Sequence, residues 1–358
     1  MPLVGQDRKG RSLAIDVTIY GAGVFGLGCA WALARRGARV RVVDPAGVGA
    51  GASGGIVGAL APHVPEQWNQ KKAFQLDSLL MAENWWEAVA QVGGGAPGYA
   101  RTGRLQPIED EAALTRAQGR ATGAATLWQG HATWTVEDAP EEWSPGTAQV
   151  IRDTLTARIH PRRACAALAE AVQALGGKIV PDATAEGMIL HATGWQGLSA
   201  MQDEKGRPAG NGVKGQAALL RLDRRDLPQL YADGLHIVPH ADGTVALGST
   251  SERDFEHTDT DAQLDDILTR ARAAVPALAG ADVIQRWAGV RPRARSRAPL
   301  LGHWPNRPGH FIANGGFKIG FGMVPKVAED MADLMLDNHD AIPQPFRSDT
   351  LAPWANGD

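Results

Sequence analysis

The first residues that could do chemistry form a glycine-rich turn near the start of the chain. Gly21-Ala22-Gly23-Val24-Phe25-Gly26 follows a β-branched run, IDVTIY, and opens a helical pattern, CAWALARRG. Gly21 permits a tight turn, Gly23 lets the backbone approach a pyrophosphate, and Gly26 lets helix and strand pack closely. The N–H groups and positive dipole at the helix N-terminus favour phosphate. The order of strand, turn and helix predicts a dinucleotide-binding site.

A carboxylate at the end of the next predicted strand supports this site. Asp44 ends the buried run VRVVD, which follows the helical pattern. A carboxylate at that place can accept hydrogen bonds from ribose hydroxyls, and it disfavours the 2′-phosphate of NADP. The alternative interpretation of Asp44 is a strand-end carboxylate that caps a turn.

The elements that would position these groups follow from the periodicity of the sequence. Strand-like and helical patterns alternate near the start, in the middle and at the end of the chain, with β-rich segments between them. Residues 213–250 alternate apolar and polar side chains, which indicates an antiparallel sheet. Longer helices are predicted over 71–92, 161–175 and 261–279. A last helix is predicted after Gly320-Phe321-Gly322, with Pro325 in its first turn.

Composition and charge are those of an ordinary folded protein. The chain has 358 residues, 44% hydrophobic and 21% charged, which is enough for about two domains. The net charge of −3 argues against a general attraction to nucleic acid or anionic membranes. No apolar run reaches the ~18 residues of a membrane span. Cys29 and Cys165 predict neither a disulfide framework nor a metal site. We expect a cytoplasmic protein in which residues 1–14 form a loose extension.

Four further segments carry a family resemblance. They are GASGGIVGALAPH at 51–63, ATGWQG at 192–197, WAGVRPRARSRAPLLG at 287–302 and NGGFKIGFGMVP at 314–325. Together with the glycine turn they span most of the chain in family order. The sequence therefore resembles the D-amino-acid oxidase and glycine oxidase family of FAD-dependent oxidoreductases.

The resemblance implies an α/β protein with two domains. A Rossmann-like FAD-binding domain would be discontinuous, with residues 15–92, 149–212 and 287–340. An inserted antiparallel β-rich (α+β) substrate domain would comprise residues 93–148 and 213–286. The family usually has a β-hairpin between segments like GGKIV and MILHATG, which is reduced here to PDATAEG. The adenine-side contact is therefore left unassigned.

The resemblance also assigns the contacts of the cofactor. The N-terminus of the last helix would stabilise negative charge on the reduced flavin. Relatives with covalent flavin carry a cysteine soon after a segment like GVRPRARS, and this chain has none there. The implied cofactor is therefore noncovalent FAD. The implied contact residues beyond the glycine turn and Asp44 are Ser53, Gly54, Gly58, Ala59, Leu60, Gly194, Trp195, Gly316, Gly320, Phe321 and Gly322.

Three residues are candidates for substrate chemistry. The planar guanidinium of Arg291 matches a carboxylate, and the resemblance implies that it clamps the substrate carboxylate over the flavin. Lys318 stands where glycine oxidases usually have a second arginine, which weakens the case for glycine itself as substrate. His236 stands where relatives often have a tyrosine near the substrate. The alternative interpretations are an arginine paired with an acid, a solvated lysine and a structural histidine.

The predicted function is hydride transfer from a small amine or amino acid to flavin N5, which gives an imine that hydrolyses. Oxygen or another carrier would accept the electrons. Ala246 stands where some oxygen-reactive relatives have a lysine, which weakens the assignment as an oxidase. The alternatives are a tRNA-modifying FAD oxidoreductase acting on a carboxymethylaminomethyl-type uridine and a non-catalytic flavin-binding protein. Nothing in the sequence determines the oligomeric state.

Overall fold

The computed structural model describes residues 14–354 of the chain. Apart from its last residue, the predicted extension at 1–14 lies outside the described residues. A six-stranded sheet and an eight-stranded sheet form the framework of the described part. The β-α-β unit predicted around the glycine turn, residues 21–26, lies at the centre of the six-stranded sheet.

The six-stranded sheet is parallel except at one edge. Its strands, in spatial order, are β15 (Leu300–His303), β16 (His310–Asn314), β9 (Met188–His191), β1 (Val17–Tyr20), β2 (Val40–Val43) and β8 (Lys178–Val180). Only β15 pairs antiparallel, with β16, among these strands. Strand residues such as Ile19 and Leu190 share one apolar core mainly with the helices that cover this sheet. The helices are α1 (Val24–Arg35), α2 (Gln70–Gly93), α4 (Pro161–Ala174) and α7 (Gly320–Asp337).

The eight-stranded sheet is antiparallel except where β11 meets β4. Its order is β14 (Asp282–Ala294), β10 (Gly210–Arg221), β13 (Thr244–Gly248), β12 (Leu235–Pro239), β11 (Gln229–Ala232), β4 (Arg104–Pro107), β6 (Gln149–Asp153) and β5 (Trp134–Asp138). One face packs on α6 (Ala262–Ala274) through residues such as Leu230 and Ile237. The antiparallel sheet predicted over 213–250 is confirmed.

Two strands that the predicted domain boundaries assign to the FAD-binding domain pair with strands of the eight-stranded sheet. Residues 149–153 form β6, which pairs with β4 and β5 in the eight-stranded sheet and not with the first domain's strands. Residues 287–294 belong to β14, which pairs with β10 along its whole length. Strand partners are decided by hydrogen bonding between distant segments, so local patterns did not place these two. The division into two domains itself remains a prediction.

Two helices also differ from expectation. Helix α3 (Glu111–Leu127) occupies a segment in which only short strands were expected. Its buried residues are Ala117 and Ala124 alone, so the sequence carries no wide apolar stripe. Helix α7 begins at Gly320, so Pro325 lies in its second turn and not in its first. The prediction that Gly320, Phe321 and Gly322 precede this helix was therefore wrong, and they form its first turn.

Two short elements complete the framework around the site. Strands β3 (Ala59–Leu60) and β7 (Ala157–Arg158) form a two-stranded antiparallel sheet, and helix α5 is Gly194–Ala200. Among residues 14–354, no helix has both the length and the apolarity that crossing a bilayer requires.

Candidate active site

The glycine turn brings β1, α1 and the end of β9 into direct contact. A Cβ atom on Gly21 would lie 2.3 Å from the carbonyl oxygen of Ala192, and the φ angle of Gly21 is +108°. A Cβ atom on Gly26 would lie 1.9 Å from the carbonyl oxygen of Gly21. Only glycine fits either position, because a side chain would overlap backbone atoms that cannot move aside. The close packing expected of Gly21 and Gly26 is therefore present.

The N-terminus of α1 is built to receive an anion. The N–H of Val24 donates to Ser53 Oγ at 2.9 Å. The N–H groups of Phe25 and Gly26 have no acceptor within the helix, because the first intrahelical bond is made by Leu27 to Gly23. The first turn contains no acidic residue. These residues fit the pyrophosphate of a dinucleotide such as FAD, which this N-terminus would hold through N–H groups and the helix dipole.

Asp44 joins the glycine turn to the end of β2. Its Oδ2 accepts from the N–H of Ala22 at 2.8 Å, and its Oδ1 accepts from the N–H of Ala46 at 3.0 Å. The carboxylate thus caps a turn, as the alternative interpretation held. Each oxygen retains a lone pair and the side chain is partly exposed. The same carboxylate can therefore also accept from ribose hydroxyls, which remains a prediction.

The segment 52–60 packs between the two large sheets. Ser53 and Gly54 belong to a single 3-10 turn, Ala52–Gly54. Gly58 has a φ of +67°, and a Cβ atom there would lie 1.8 Å from the carbonyl oxygen of Ile159. Ile56 packs with Ala217 and Ala246 of the eight-stranded sheet, and its carbonyl accepts from His240 Nε2 at 2.9 Å. The eight-stranded sheet and the backbone at Ile159 therefore fix the shape of this segment.

The first turn of α7 lies against the N-terminus of α1. Gly316 approaches Phe25 so closely that a Cβ atom would lie 2.9 Å from the ring, and Gly320 faces Val24. The first turn of α7 has no acidic residue. Two helix N-termini therefore converge, and both favour negative charge.

The family resemblance implies that Gly194 and Trp195 lie on the second FAD strand, beside the phosphates, and this strand placement is wrong. The strand β9 ends at His191, and Gly194, with a φ of +65°, is the first residue of α5. The Gly194 carbonyl accepts from Asn314 Nδ2 at 2.9 Å. Trp195 packs over Gly212 of β10. Both residues remain close to the glycine turn through Ala192.

Arg291 is a buried guanidinium without a carboxylate partner. Its Nη1 donates to Ser249 Oγ at 2.6 Å, and its Nη2 donates to the carbonyl of Thr250 at 2.7 Å. The Nε atom is buried without an acceptor. No carboxylate among residues 14–354 lies within ion-pair distance of Arg291. Burial lowers the pKa of Arg291 to about 10, so the side chain stays charged at neutral pH.

A cation cluster surrounds the ring of Phe317. The charged ends of Arg291, Arg293 and Lys318 lie 5.5, 5.6 and 5.9 Å from the ring centroid. Desolvation lowers the pKa of Lys318, and the charges of Arg291 and Arg293 lower it further. The lysine lies beside other cations but is exposed to solvent, so both its role towards the substrate and the alternative of a solvated lysine remain predictions.

His236 lies in the eight-stranded sheet, beside Tyr231. The two rings are 4.8 Å apart, and His236 Nδ1 is buried without a hydrogen-bond partner. Burial is the main cause that lowers the pKa of His236 to about 3, and the charges of Arg104 and Lys318 contribute. The imidazole is therefore neutral at pH 7. His236 pairs with Gly248, the neighbour of Ser249, which accepts from Arg291 Nη1. Lys318 and Arg291 both lie beside the ring of Phe317, so the three catalytic candidates lie in one region.

A buried network behind the sheet supports Arg291. Lys214 Nζ lies 3.1 Å from Glu252 and 2.7 Å from Asp261. Gln216 donates to both of these carboxylates, at 3.0 and 2.8 Å. The hydroxyl of Thr250 bonds Glu252 as well, so the network fixes the carbonyl that Arg291 uses.

Sequence reasoning missed several residues of this region. Phe317 had a signal, since it lies inside the GGFKIG segment that was already assigned to the site. Ser249 directly follows β13, although nothing distinguished it from an ordinary turn serine. Arg104 and Tyr231 had none, because they come from separate β-rich segments. The described residues contain no cluster of His, Cys, Asp and Glu side chains suited to a metal ion.

Comparison with known proteins agrees with this geometry. The family model DAO, described as FAD dependent oxidoreductase, matches residues 16–334. A putative thiamine biosynthesis oxidoreductase ThiO from Rhizobium etli is 30% identical over 335 residues, covering 89% of this chain and 96% of the relative. A glycine oxidase from Pseudomonas putida is 27% identical over 371 residues, covering 92% and 97%. The crystal structure of glycine oxidase from Geobacillus kaustophilus superimposes with a TM-score of 0.79 at 22% identity, covering 93% and 97%. The predicted fold class and family resemblance are confirmed.

Proposed function

The chain belongs to the DAO family of FAD-dependent oxidoreductases, and from this we propose that it oxidises a small amine or amino acid whose carboxylate is held by Arg291. The glycine oxidase relative supports an amine as the reacting group. The product would be an imine that hydrolyses to a carbonyl compound and ammonia or an amine.

The observation that carries this proposal is the unpaired charge of Arg291. Removing a charge from water is costly unless an opposite charge or good hydrogen bonds replace the solvent. Arg291 has a hydroxyl and carbonyl oxygens as partners but no carboxylate, and its Nε remains unbonded. A substrate carboxylate would supply the missing anion in the planar geometry that a guanidinium prefers.

The side chains around Arg291 would prepare the substrate for oxidation. Arg293 and Lys318 raise the positive potential around the cation cluster, and a positive potential lowers the pKa of a bound amine. A neutral amine retains the lone pair that becomes the imine bond. His236 is neutral at pH 7 and adds no further charge. Its Nδ1 atom has no partner and can form a hydrogen bond with the substrate. FAD, when bound, supplies the hydride acceptor at its N5 atom.

FAD would be bound without a covalent bond. The pyrophosphate would lie at the N-terminus of α1 beside Ser53, and Asp44 would hold the ribose. Both cysteines of the chain are buried, and burial raises the pKa of the Cys165 thiol to about 12. Acid precipitation should therefore release all flavin into the supernatant. Flavin that stays with the pellet would contradict noncovalent binding.

Anaerobic reduction tests the proposed reaction. The purified holoprotein is mixed without oxygen with single amines and amino acids, and the flavin absorbance near its visible maximum is followed. We expect bleaching by carboxylate-bearing amines, and dithionite serves as the control that the bound flavin can be reduced. A flavin that dithionite bleaches but no amine bleaches would contradict the proposal. Readmitting air or adding an artificial electron acceptor then distinguishes an oxidase from a dehydrogenase.

A further inference from the structure

Arg104 is a second buried guanidinium whose hydrogen bonds are incomplete. Its side chain is 7% exposed, and its Nε donates to Asp153 Oδ2 at 2.9 Å. The two terminal nitrogens have no hydrogen-bond acceptor among residues 14–354. Asp153 is fully buried, and its other oxygen accepts from the N–H of Thr156 at 2.8 Å. Four N–H groups of a guanidinium are therefore left for another acceptor.

Arg104 faces the same region as the catalytic candidates. Its guanidinium carbon lies 5.8 Å from the centroid of the Tyr231 ring, which is 4.8 Å from the ring of His236. Tyr231 and His236 are direct cross-strand partners, and Arg104 lies opposite Gln229, two residues before Tyr231. These side chains share one face of the sheet, because Leu105, Leu230 and Ile237 form the apolar core on the other face.

Small residues separate this group from β14. His236 pairs with Gly248, which pairs with Ala217, which in turn pairs with Trp287. Val57 lies over Gly248, where a Cβ atom would be 3.0 Å from Val57 Cγ2, so the segment 52–60 approaches the sheet beside His236. Arg104 lies on the other side of His236, beyond Tyr231, and Lys318 lies with Arg291 at the ring of Phe317.

The positive charge of this face exceeds what one carboxylate requires. Arg291, Arg293 and Lys318 have no ion pair within the described part of the chain, and Arg104 has one. The acids behind the sheet, Glu252 and Asp261, are both bound to Lys214 and leave one negative charge there. Arg291, Arg293 and Lys318 together exceed this negative charge, so a substrate with a single carboxylate would leave one positive charge uncompensated.

We propose that the amine substrate carries a second anionic group, and that Arg104 binds this group with Lys318 while Arg291 holds the first carboxylate. The inference rests on the proposed function, since it names the substrate class of the same site. The terminal nitrogens of Arg104 can bind a carboxylate through two parallel hydrogen bonds. If Arg104 only stabilises the turn from Asp153 to Thr156, a second anionic group on the substrate will increase neither binding nor turnover.

Matched substrates test the wild-type holoenzyme directly. Sarcosine and iminodiacetate share the reacting glycine unit, and only the second has an extra carboxylate on its nitrogen substituent. Alanine and aspartate, in both enantiomers, make the same comparison at the α-carbon. We expect kcat/KM to be at least about tenfold higher for the dicarboxylate of one pair, from an additional charge-assisted contact. The proposal would be overturned if kcat/KM for each monocarboxylate equals or exceeds that for its matched dicarboxylate.

Variants of Arg104 then assign the effect to this residue. Arg104→Lys keeps a charge beside Asp153 but loses the planar fork. The double variant Arg104→Gln/Asp153→Asn removes both charges, so that no unpaired buried carboxylate remains. Either variant should lose about 30-fold in kcat/KM for the dicarboxylate, as expected for truncating a buried charge contact, and much less for the monocarboxylate. Equal losses on both substrates would show a structural role only.

Arg101→Gln is the matched control. Arg101 holds the same turn through the carbonyl of Thr154 at 2.7 Å, and it also binds the carbonyl of His131. The variant removes one positive charge and one brace of the turn close to Arg104. It should leave the ratio of dicarboxylate to monocarboxylate turnover as in the wild type. A ratio that falls as far as in the Arg104 variants would overturn the assignment.

Ligands without an amine separate this inference from the proposed function. Diglycolate has two carboxylates and methoxyacetate has one, and neither has an amine to oxidise. Perturbation of the flavin absorbance reports their Kd values in the holoprotein. We expect diglycolate to bind about tenfold more tightly, with the difference lost in the Arg104 variants. If sarcosine bleaches the flavin but diglycolate shows no advantage, the second-anion site fails while amine oxidation stands.

Discussion

At the residue scale, the hydrogen-bond partners of its guanidinium distinguish Arg291. Its partners are a hydroxyl and two carbonyl oxygens, at 2.6, 2.7 and 3.2 Å, and the closest acid in electrostatic terms, Glu252, lies behind the sheet. A structural arginine of this burial ordinarily pairs with a carboxylate. Arg158, Arg224 and Arg272 also have a buried Nε without a partner. Arg291 differs from them because it lies with Arg293 and Lys318 at the ring of Phe317.

Substitution of Arg291 should affect amino acids more than plain amines. Arg291→Ala should lower transition-state stabilisation by about 2–4 kcal/mol on an amino acid, because anchoring and orientation are both lost. Arg291→Lys keeps the charge without the fork and should remain impaired. The measurement is kcat/KM on an amino acid and on its decarboxylated amine. Similar losses on both substrates would argue for a purely structural arginine.

Asp44 offers a second prediction at the residue scale. Asp44→Ala should weaken FAD binding by about 1.5–3 kcal/mol, through lost charged hydrogen bonds. Asp44→Asn is the closer variant, because its one amide oxygen can still accept from one of the two N–H groups that the carboxylate caps. If the carboxylate binds ribose, Asp44→Asn should bind FAD less tightly than the wild type, and its thermal stability without FAD measures the separate effect of the lost cap. Wild-type FAD affinity in Asp44→Asn would leave only the turn-capping role.

At the scale of elements, the contact between α1 and α7 decides where the two helix N-termini lie. Gly28 of α1 faces Val324 of α7, and a Cβ atom on Gly28 would lie 2.3 Å from Val324 Cγ2. Val324 is fully buried and β-branched, so it has little freedom to move aside. The close approach of the helices therefore depends on glycine at this position.

Gly28→Ala should destabilise the protein in spite of its helix propensity. Overpacking costs about 1–3 kcal/mol, which exceeds the gain of up to ~1 kcal/mol from replacing a helical glycine. Val324→Ala makes room, so the double variant should be less destabilised than the sum of the two single variants. Chemical denaturation of the three variants measures this coupling. Additive effects would show that the helices accommodate the methyl group elsewhere.

The first turn of α7 makes a separate prediction at the same scale. Gly320→Asp adds a negative charge at a helix N-terminus that has no acid, and the nearest atom, Val24 Cγ1, is 3.6 Å from the new Cβ. If this N-terminus faces the flavin ring, the added charge should lower the potential of the bound flavin by about 10–40 mV. Gly320→Asn is the neutral control of the same size. Equal potentials in the two variants would contradict the placement.

At the scale of the whole molecule, three histidines in different parts of the structure are kept neutral. Burial is the largest cause in each case, and it lowers the pKa of His191 to about 4, of His236 to about 3 and of His240 to about 4. His191 belongs to the six-stranded sheet, His236 to the eight-stranded sheet, and His240 contacts the segment between them. In the unfolded chain, each would bind a proton near pH 6.5.

The protein should therefore lose stability as the pH falls from about 6.5 towards 4. Because the folded pKa lies below the unfolded one, the stabilisation is complete above pH 6.5 and declines below it, by up to ~1.4 kcal/mol per pH unit for each histidine. His240→Gln retains a donor for Ile56 and removes the titrating group. Denaturation midpoints between pH 7.5 and 4.5 should fall less steeply in this variant.

The exposed His131 provides the control for this experiment. His131→Gln should reproduce the wild-type dependence on pH, since its side chain is exposed to solvent. Parallel curves for the wild type and His240→Gln would contradict the contribution assigned to His240. Below pH 4, protonation of carboxylates such as Asp261, whose pKa is lowered to about 2, should add a further loss.

The sequence by itself determined the features that depend on neighbouring residues. The glycine turn, the buried strand before it and Asp44 after the next strand lie in one short stretch, so local spacing was enough to predict a dinucleotide site. Alternation over 213–250 likewise predicted an antiparallel sheet, because one side of each strand is buried and the next residue is not. The family segments added Arg291 and Lys318 as candidates, and the family resemblance added His236 from outside these segments.

Only the tertiary structure decided which of these residues meet. Lys318 and Arg291 lie on the same ring, Phe317, because β14 and the segment after β16 converge, and His236 is brought to them by the order of strands in the sheet. The same order places Arg104 beside Tyr231 and moves β6 into the eight-stranded sheet. Strand order is set by hydrogen bonds between segments far apart in the chain, and periodicity within a segment carries no information about them.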